Sequence, residues 1–136
     1  MFVGHYACAF ILRKRAEPVP LWLLFLSVQL ADIVAFLFIL LGIERIAYSP
    51  NPNPFLRTIL EYVPFSHSLF GNVGLALVVL LLFWKFKGFS WGLILCLGVL
   101  SHWFLDAVVH VRDLPLFLNR FKTGLGLWEW PWVAIH

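Results

Sequence analysis

An all-α integral membrane helical bundle is the fold class this sequence predicts, on three observations. Hydrophobic residues make up 62% of the chain and charged residues 12%, against about 25% charged in an ordinary soluble domain. The mean hydropathy is +0.90, and with 14 Phe and 7 Trp among 136 residues much of the surface must face something less polar than water. Finally, three apolar runs each approach the ~20 residues that one crossing of a bilayer requires. The expected architecture is three full spans plus a short N-terminal partial helix and a truncated or interfacial C-terminal segment, in one domain covering 1–136.

The first apolar run, Phe2–Leu12, has 11 residues, too few to cross ~30 Å of hydrocarbon at ~1.5 Å per residue. It predicts a partial or re-entrant helix. Arg13, Lys14 and Arg15 follow this run instead of preceding it, the reverse of a signal peptide. Pro18 and Pro20 favour a new helix at Leu21, and the chain stays apolar to Ile43 except at Ser27, Gln29 and Asp32. Within Glu44–Ser66 the run from Ser49 to Pro54 alternates Asn and Pro, supports neither helix nor strand and is read as an exposed loop. Phe55–Tyr62, in the same segment, predicts a short interfacial helix.

A second span is expected over His67–Trp84, a tight turn over Lys85–Gly88, and a third span over Phe89–His110. Beyond Arg112 the composition is mixed, with Pro115, Asn119 and the stretch Gly124–Trp128. Trp84, Trp91, Trp128, Trp130 and Trp132 read as anchors at a membrane interface. Cys8 and Cys96 lie in apolar stretches outside any CxxC spacing and read as small buried hydrophobes.

The formal net charge is +3, but the 10 Lys and Arg residues are dispersed among apolar runs. They form no basic stripe, which excludes nucleic acid as a partner. Helix orientation accounts for them better. The short turns Arg13–Arg15 and Lys85–Lys87 hold five basic residues opposed only by Glu17, so they are expected on the cytoplasmic side.

Asp32, His102 and Asp106 fall inside the apolar spans, with His5, His67 and His110 near the edges. Charged groups at such depths cost several kcal/mol unless paired, hydrated or bound to metal. Counted from the basic turns, Asp32 lies ~18 Å in, His102 ~20 Å, Asp106 ~25 Å, His67 ~27 Å and His5 ~12 Å. The cluster is therefore expected in the outer half of the membrane, open to the non-cytoplasmic side. His102, Asp106 and His110 are spaced four residues apart and share one helical stripe. Asp32 and His67 from neighbouring helices complete a nitrogen and oxygen set suited to zinc. Gln29, one turn before Asp32, reads either as its orienting partner or as a helix-to-helix contact. Glu44 reads either as a solvated loop carboxylate or as a general base.

Several motifs resemble a known family. Gly4-His5-Tyr6-Ala7, the apolar helix with Gln29 and Asp32, Pro64-Phe65-Ser66-His67-Ser68 and Ser101-His102-Trp103-Phe104-Leu105-Asp106 are similar to the bacterial membrane-bound metal-dependent hydrolases. The resemblance extends over nearly the whole chain. Gly42-Ile43-Glu44, Asp113-Leu114-Pro115 and Gly124–Trp128 look like a largely uncharacterised branch of that family, itself considered distantly similar to zinc-dependent phospholipases C and P1-type nucleases. The resemblance implies residence in the bacterial inner membrane and metal ligands at His5, Asp32, His67, His102 and Asp106. Val34 and Tyr62 stand where many members carry a further carboxylate and histidine, which implies fewer ions.

The function expected from these readings is hydrolysis of a phospholipid or lipid-linked phosphoester at a divalent metal, zinc foremost, with His110 or Glu44 handling protons. Membrane lipid is the expected partner. The alternative is a non-catalytic, metal-holding subunit of a larger membrane complex or a homo-oligomer, because so few helices leave much apolar surface to offer.

Overall fold

The computed structural model describes residues 4–14, 19–51 and 57–129. Helix α1 (Tyr6–Arg13) is followed by α2 (Leu21–Leu40), strands β1 (Arg45–Tyr48) and β2 (Thr58–Tyr62), helices α3 (Leu69–Lys87) and α4 (Phe89–Val109), and strands β3 (Leu114–Phe117) and β4 (Arg120–Thr123). A 3-10 turn at Leu127–Glu129 closes the described chain. Three of the helices, α2, α3 and α4, are long and apolar enough to cross a membrane, as the sequence predicts. Helix α1 has eight residues, about 12 Å of rise, and is the partial helix expected before them.

Two small antiparallel sheets, β1 with β2 and β3 with β4, correct the all-α expectation. Thr58–Tyr62 pairs as a strand, with Ala47 opposite Ile59 and Tyr48 opposite Thr58. The interfacial helix expected over Phe55–Tyr62 is therefore replaced in its last five residues by β2, and its beginning lies outside the described residues. The physical reason is local composition. Thr58, Ile59 and Tyr62 favour extended backbone, and the strand they form finds a partner in Arg45–Tyr48. The second hairpin pairs Leu114 with Thr123 and Phe117 with Arg120.

Helix ends differ from expectation by a few residues. Gly42, at φ +72°, takes a conformation that ends α2 at Leu40 instead of Ile43, and the Ile43 and Glu44 amides turn back onto the Phe38 carbonyl. Helix α3 begins at Leu69, because Ser68 caps it by accepting from the Gly71 amide at 2.9 Å. At its other end it runs through the expected turn to Lys87, leaving Gly88 alone as the junction with α4.

The connectivity puts Arg13 and Lys14 at the same end of the bundle as Lys85–Lys87, and both hairpins at the other. A first core of Ala9, Leu24, Val28, Ala76, Val79, Leu95, Cys96 and Val99 packs between the helices. A second, of Leu60, Val63, Trp103 and Leu114, lies beneath the hairpins. Helix α4 contributes to both, and His102 and Asp106 sit at the junction. Trp84 is exposed and Trp91 half-buried, but Trp128 is buried against the His110 ring at 4.8 Å. Trp128 is thus a packing residue and not an interface anchor; Trp130 and Trp132 lie outside the described residues.

Candidate metal centre

Helices α2 and α4, with the residues that lead into α1 and α3, bring the candidate polar residues together at the hairpin end. Asp32 lies on α2, and His102 and Asp106 stand one turn apart on α4. His5 immediately precedes α1, His67 precedes the Ser68 cap of α3, and His110 ends α4. His5, His102 and Asp106 are at most 2% exposed. The Asp32 side chain, 26% exposed, is the open edge of the group.

Their ring nitrogens point at the same carboxylates. His102 Nε2 lies 3.2 Å from Asp106 Oδ2 and 3.5 Å from Asp32 Oδ1. His67 Nε2 lies 3.3 Å from Asp32 Oδ1 and 3.7 Å from Asp106 Oδ2. The His5 and His110 Nε2 atoms approach Asp106 Oδ1 at 3.2 and 3.9 Å. The His5 ring stacks on that of His102 with centroids 3.9 Å apart.

The opposite nitrogens explain why the rings hold these positions. His102 Nδ1 is 2.8 Å from the Val28 carbonyl oxygen, which only accepts, so this nitrogen carries the proton. Ser66 Oγ gives its single hydrogen to Glu44 Oε2 at 2.5 Å; its 2.9 Å contact with His67 Nδ1 is therefore donated by the histidine. His110 Nδ1 meets Asp113 Oδ1 at 3.3 Å, and Asp113 Oδ2 accepts from the Leu60 amide at 3.0 Å. Three imidazoles thus have the Nδ1 hydrogen committed to an acceptor. Each, when neutral, presents its Nε2 lone pair to the two carboxylates.

Lone pairs facing lone pairs across 3.2–3.9 Å require positive charge between them. A proton serves one donor–acceptor pair, whereas a divalent cation serves several donors at once. Two sets have ligand atoms within 4.8 Å of one another, His5 with His102 and Asp106, and Asp32 with His67 and His102. Both use His102, whose single free nitrogen binds one ion. The donors are nitrogen and oxygen, while Cys8 and Cys96 belong to the apolar core. Such a set fits a borderline divalent ion.

Local sequence builds this geometry. Gly98, one turn before His102, lets α4 close on α2: a Cβ there would lie 2.3 Å from Ser27 Oγ. Gly71 plays the same part in the first turn of α3, where a Cβ would lie 1.8 Å from the Phe65 carbonyl oxygen. The 65–66 backbone is pinned by Glu44 Oε1, which accepts from the Phe65 and Ser66 amides at 2.9 and 2.8 Å, and by Asn72, which donates to the Ser66 carbonyl at 2.8 Å.

All five expected ligand residues are therefore neighbours, and His110 joins them. Glu44 does not face the centre. It is buried, 1% exposed, and stands one hydroxyl behind His67, so it is not a solvated loop carboxylate. Backbone counting puts His5 and Asp106 at depths of ~12 and ~25 Å, yet their side chains meet, His5 Nε2 lying 3.2 Å from Asp106 Oδ1. Sequence reasoning missed Ser66, Asp113 and Asn72 as supports. Ser66 precedes His67 and Asp113 follows His110 by three residues, and that adjacency of a polar side chain to a candidate ligand was the available signal.

Comparison with protein-family models, with curated proteins and with solved structures finds no match. No family is assigned to the chain, and the centre is interpreted from its own geometry.

Proposed function

We propose that the chain is a membrane-embedded metal-dependent hydrolase of a phospholipid or lipid-linked phosphoester, with zinc as the ion. The observation that carries this reading is the convergence of imidazoles, oriented through Nδ1, on two carboxylates at a depth where such groups are costly without a cation. His5, Asp32, His67, His102 and Asp106 would hold the ion. A divalent ion there supplies Lewis acidity toward a phosphoryl oxygen and makes water a nucleophile by lowering its pKa toward ~7. Proton handling falls to His110, whose Nδ1 is tied to Asp113 while its Nε2 turns toward the cluster. Glu44, through Ser66, positions His67. With the basic turns in the cytoplasm, the centre lies in the outer half of a bacterial inner membrane.

The deciding experiment is elemental analysis of detergent-purified protein, followed by phosphoester release from phospholipid vesicles. Near-stoichiometric zinc, manganese or iron is expected in the wild type and not in His102→Ala or Asp106→Ala, with turnover lost in both. A well-folded wild type without metal overturns the reading, as does a hydrolase activity that His102→Ala leaves unchanged.

A further inference from the structure

Two cavities adjoin the cluster, and their walls differ in character. The first, of about 190 Å³, has a mixed wall in which Ser49, Thr58, His110 and Glu129 stand beside Ile59 and Val111. Most of these residues lie beyond the end of α2, on the hairpins and the loops around them. The second, of about 130 Å³, is bounded by Gly4, His5, Leu105 and Val109 and is almost wholly apolar. His110 belongs to the first wall and His5 to the second, and both approach the same oxygen, Asp106 Oδ1.

Helical geometry explains the arrangement. Leu105 and Val109 each precede a residue of the ligand stripe, Asp106 and His110, by one position, which is about 100° of rotation. They therefore stand on the face of α4 beside the stripe. Phe104 and Val108, next along the same helix, are exposed apolar side chains of a spanning segment, so this flank faces acyl chains. The first cavity mixes hydroxyl, amide and indole groups with the apolar side chains of Ile59 and Val111, and among the described residues that line it Glu129 is the only side chain with a fixed charge. Glu129 favours a cationic group and opposes an anionic one.

We propose, on the basis of the hydrolase reading, that the substrate is a lipid phosphoester with an amine-bearing head, bound with its chain in the Gly4–Leu105–Val109 slot and its head in the cavity lined by Ser49, Thr58 and Glu129. The phosphoester between them then lies beside Asp106. Entry is lateral, from the bilayer, and the amine ends near the Glu129 carboxylate.

The test uses the full chain in phosphatidylcholine nanodiscs with a phosphatidylethanolamine probe carrying a diazirine on its head. After irradiation, labelled residues are mapped by mass spectrometry, with labelling of Lys85–Lys87 as the internal measure of bulk lipid. Saturable labelling is expected at Ser49, Thr58 or Trp128, competed by unlabelled phosphatidylethanolamine and at least tenfold less well by phosphatidic acid. Leu105→Trp, which fills the slot, should reduce that labelling tenfold or more without changing labelling at Lys85–Lys87, and Glu129→Gln should erase the preference for the amine. Labelling that Leu105→Trp leaves unchanged, or that phosphatidic acid competes equally well, overturns the proposal. Because labelling requires no turnover, a specifically labelled protein that hydrolyses nothing refutes the hydrolase reading while leaving the lipid site standing, and an active protein without such labelling refutes the lipid site alone.

Discussion

A histidine ring has two nitrogens, and what it can bind at one is settled by what holds the other. Here His102 is held by the Val28 carbonyl, His67 by Ser66 and His110 by Asp113. Ser66→Ala removes the acceptor for His67 and leaves Glu44 with one hydroxyl fewer. The expected result is a metal affinity weaker by about 10- to 100-fold, measured by competition with a chromophoric chelator, with folding retained. Asp106→Asn keeps the side-chain volume but removes the charge that three histidines share most closely. Its metal content should fall to background in elemental analysis, and full metal retention would show that Asp106 is no ligand. At this scale the sequence was informative: His102 and Asp106 are readable from their spacing, whereas Ser66 and Asp113 act only through contacts that folding creates.

Elements were legible where long apolar runs define them and illegible where short ones pair. The strands of four and five residues are too brief for a period-2 pattern to outweigh their surroundings. The β3–β4 hairpin is harder still, because Leu118 in its turn and Phe121 within β4 adopt φ of 48° and 54°, and positive φ ordinarily goes to Gly, Asn or Asp. Helix contacts, in contrast, depend on missing side chains. Gly98→Ala sets a methyl against Ser27 Oγ, which is itself donating to the Leu24 carbonyl at 2.8 Å. Overpacking of this kind costs about 1–3 kcal/mol, read as a lower unfolding temperature in detergent. Adding Ser27→Ala should recover part of the loss, and a strictly additive double variant would disprove the contact. Gly71→Ala meets backbone instead of a movable side chain, so it should displace the 65–67 segment and weaken metal binding even where the helices remain folded.

Over the whole molecule, three helices long and apolar enough to cross a membrane and two hairpins enclose a centre that no single element could make. A ligand bound only by the folded chain adds stability of about 2.7 kcal/mol at one hundred times its dissociation constant. Chelator treatment should therefore lower the unfolding temperature of the wild type, zinc should restore it, and Asp106→Asn should respond to neither. A wild type indifferent to chelation would mean that the polar cluster is held by protons alone.

His5 lies near the beginning of the described chain and His110 toward its end, yet both reach Asp106. During synthesis the ribosome delivers His5 and Asp32 to the membrane long before α4 exists. A nascent polypeptide arrested at Gly88 therefore lacks His102 and Asp106. On the metal-centre reading, loading waits until α4 is in place, so capture of an ion reports that α4 has joined the bundle.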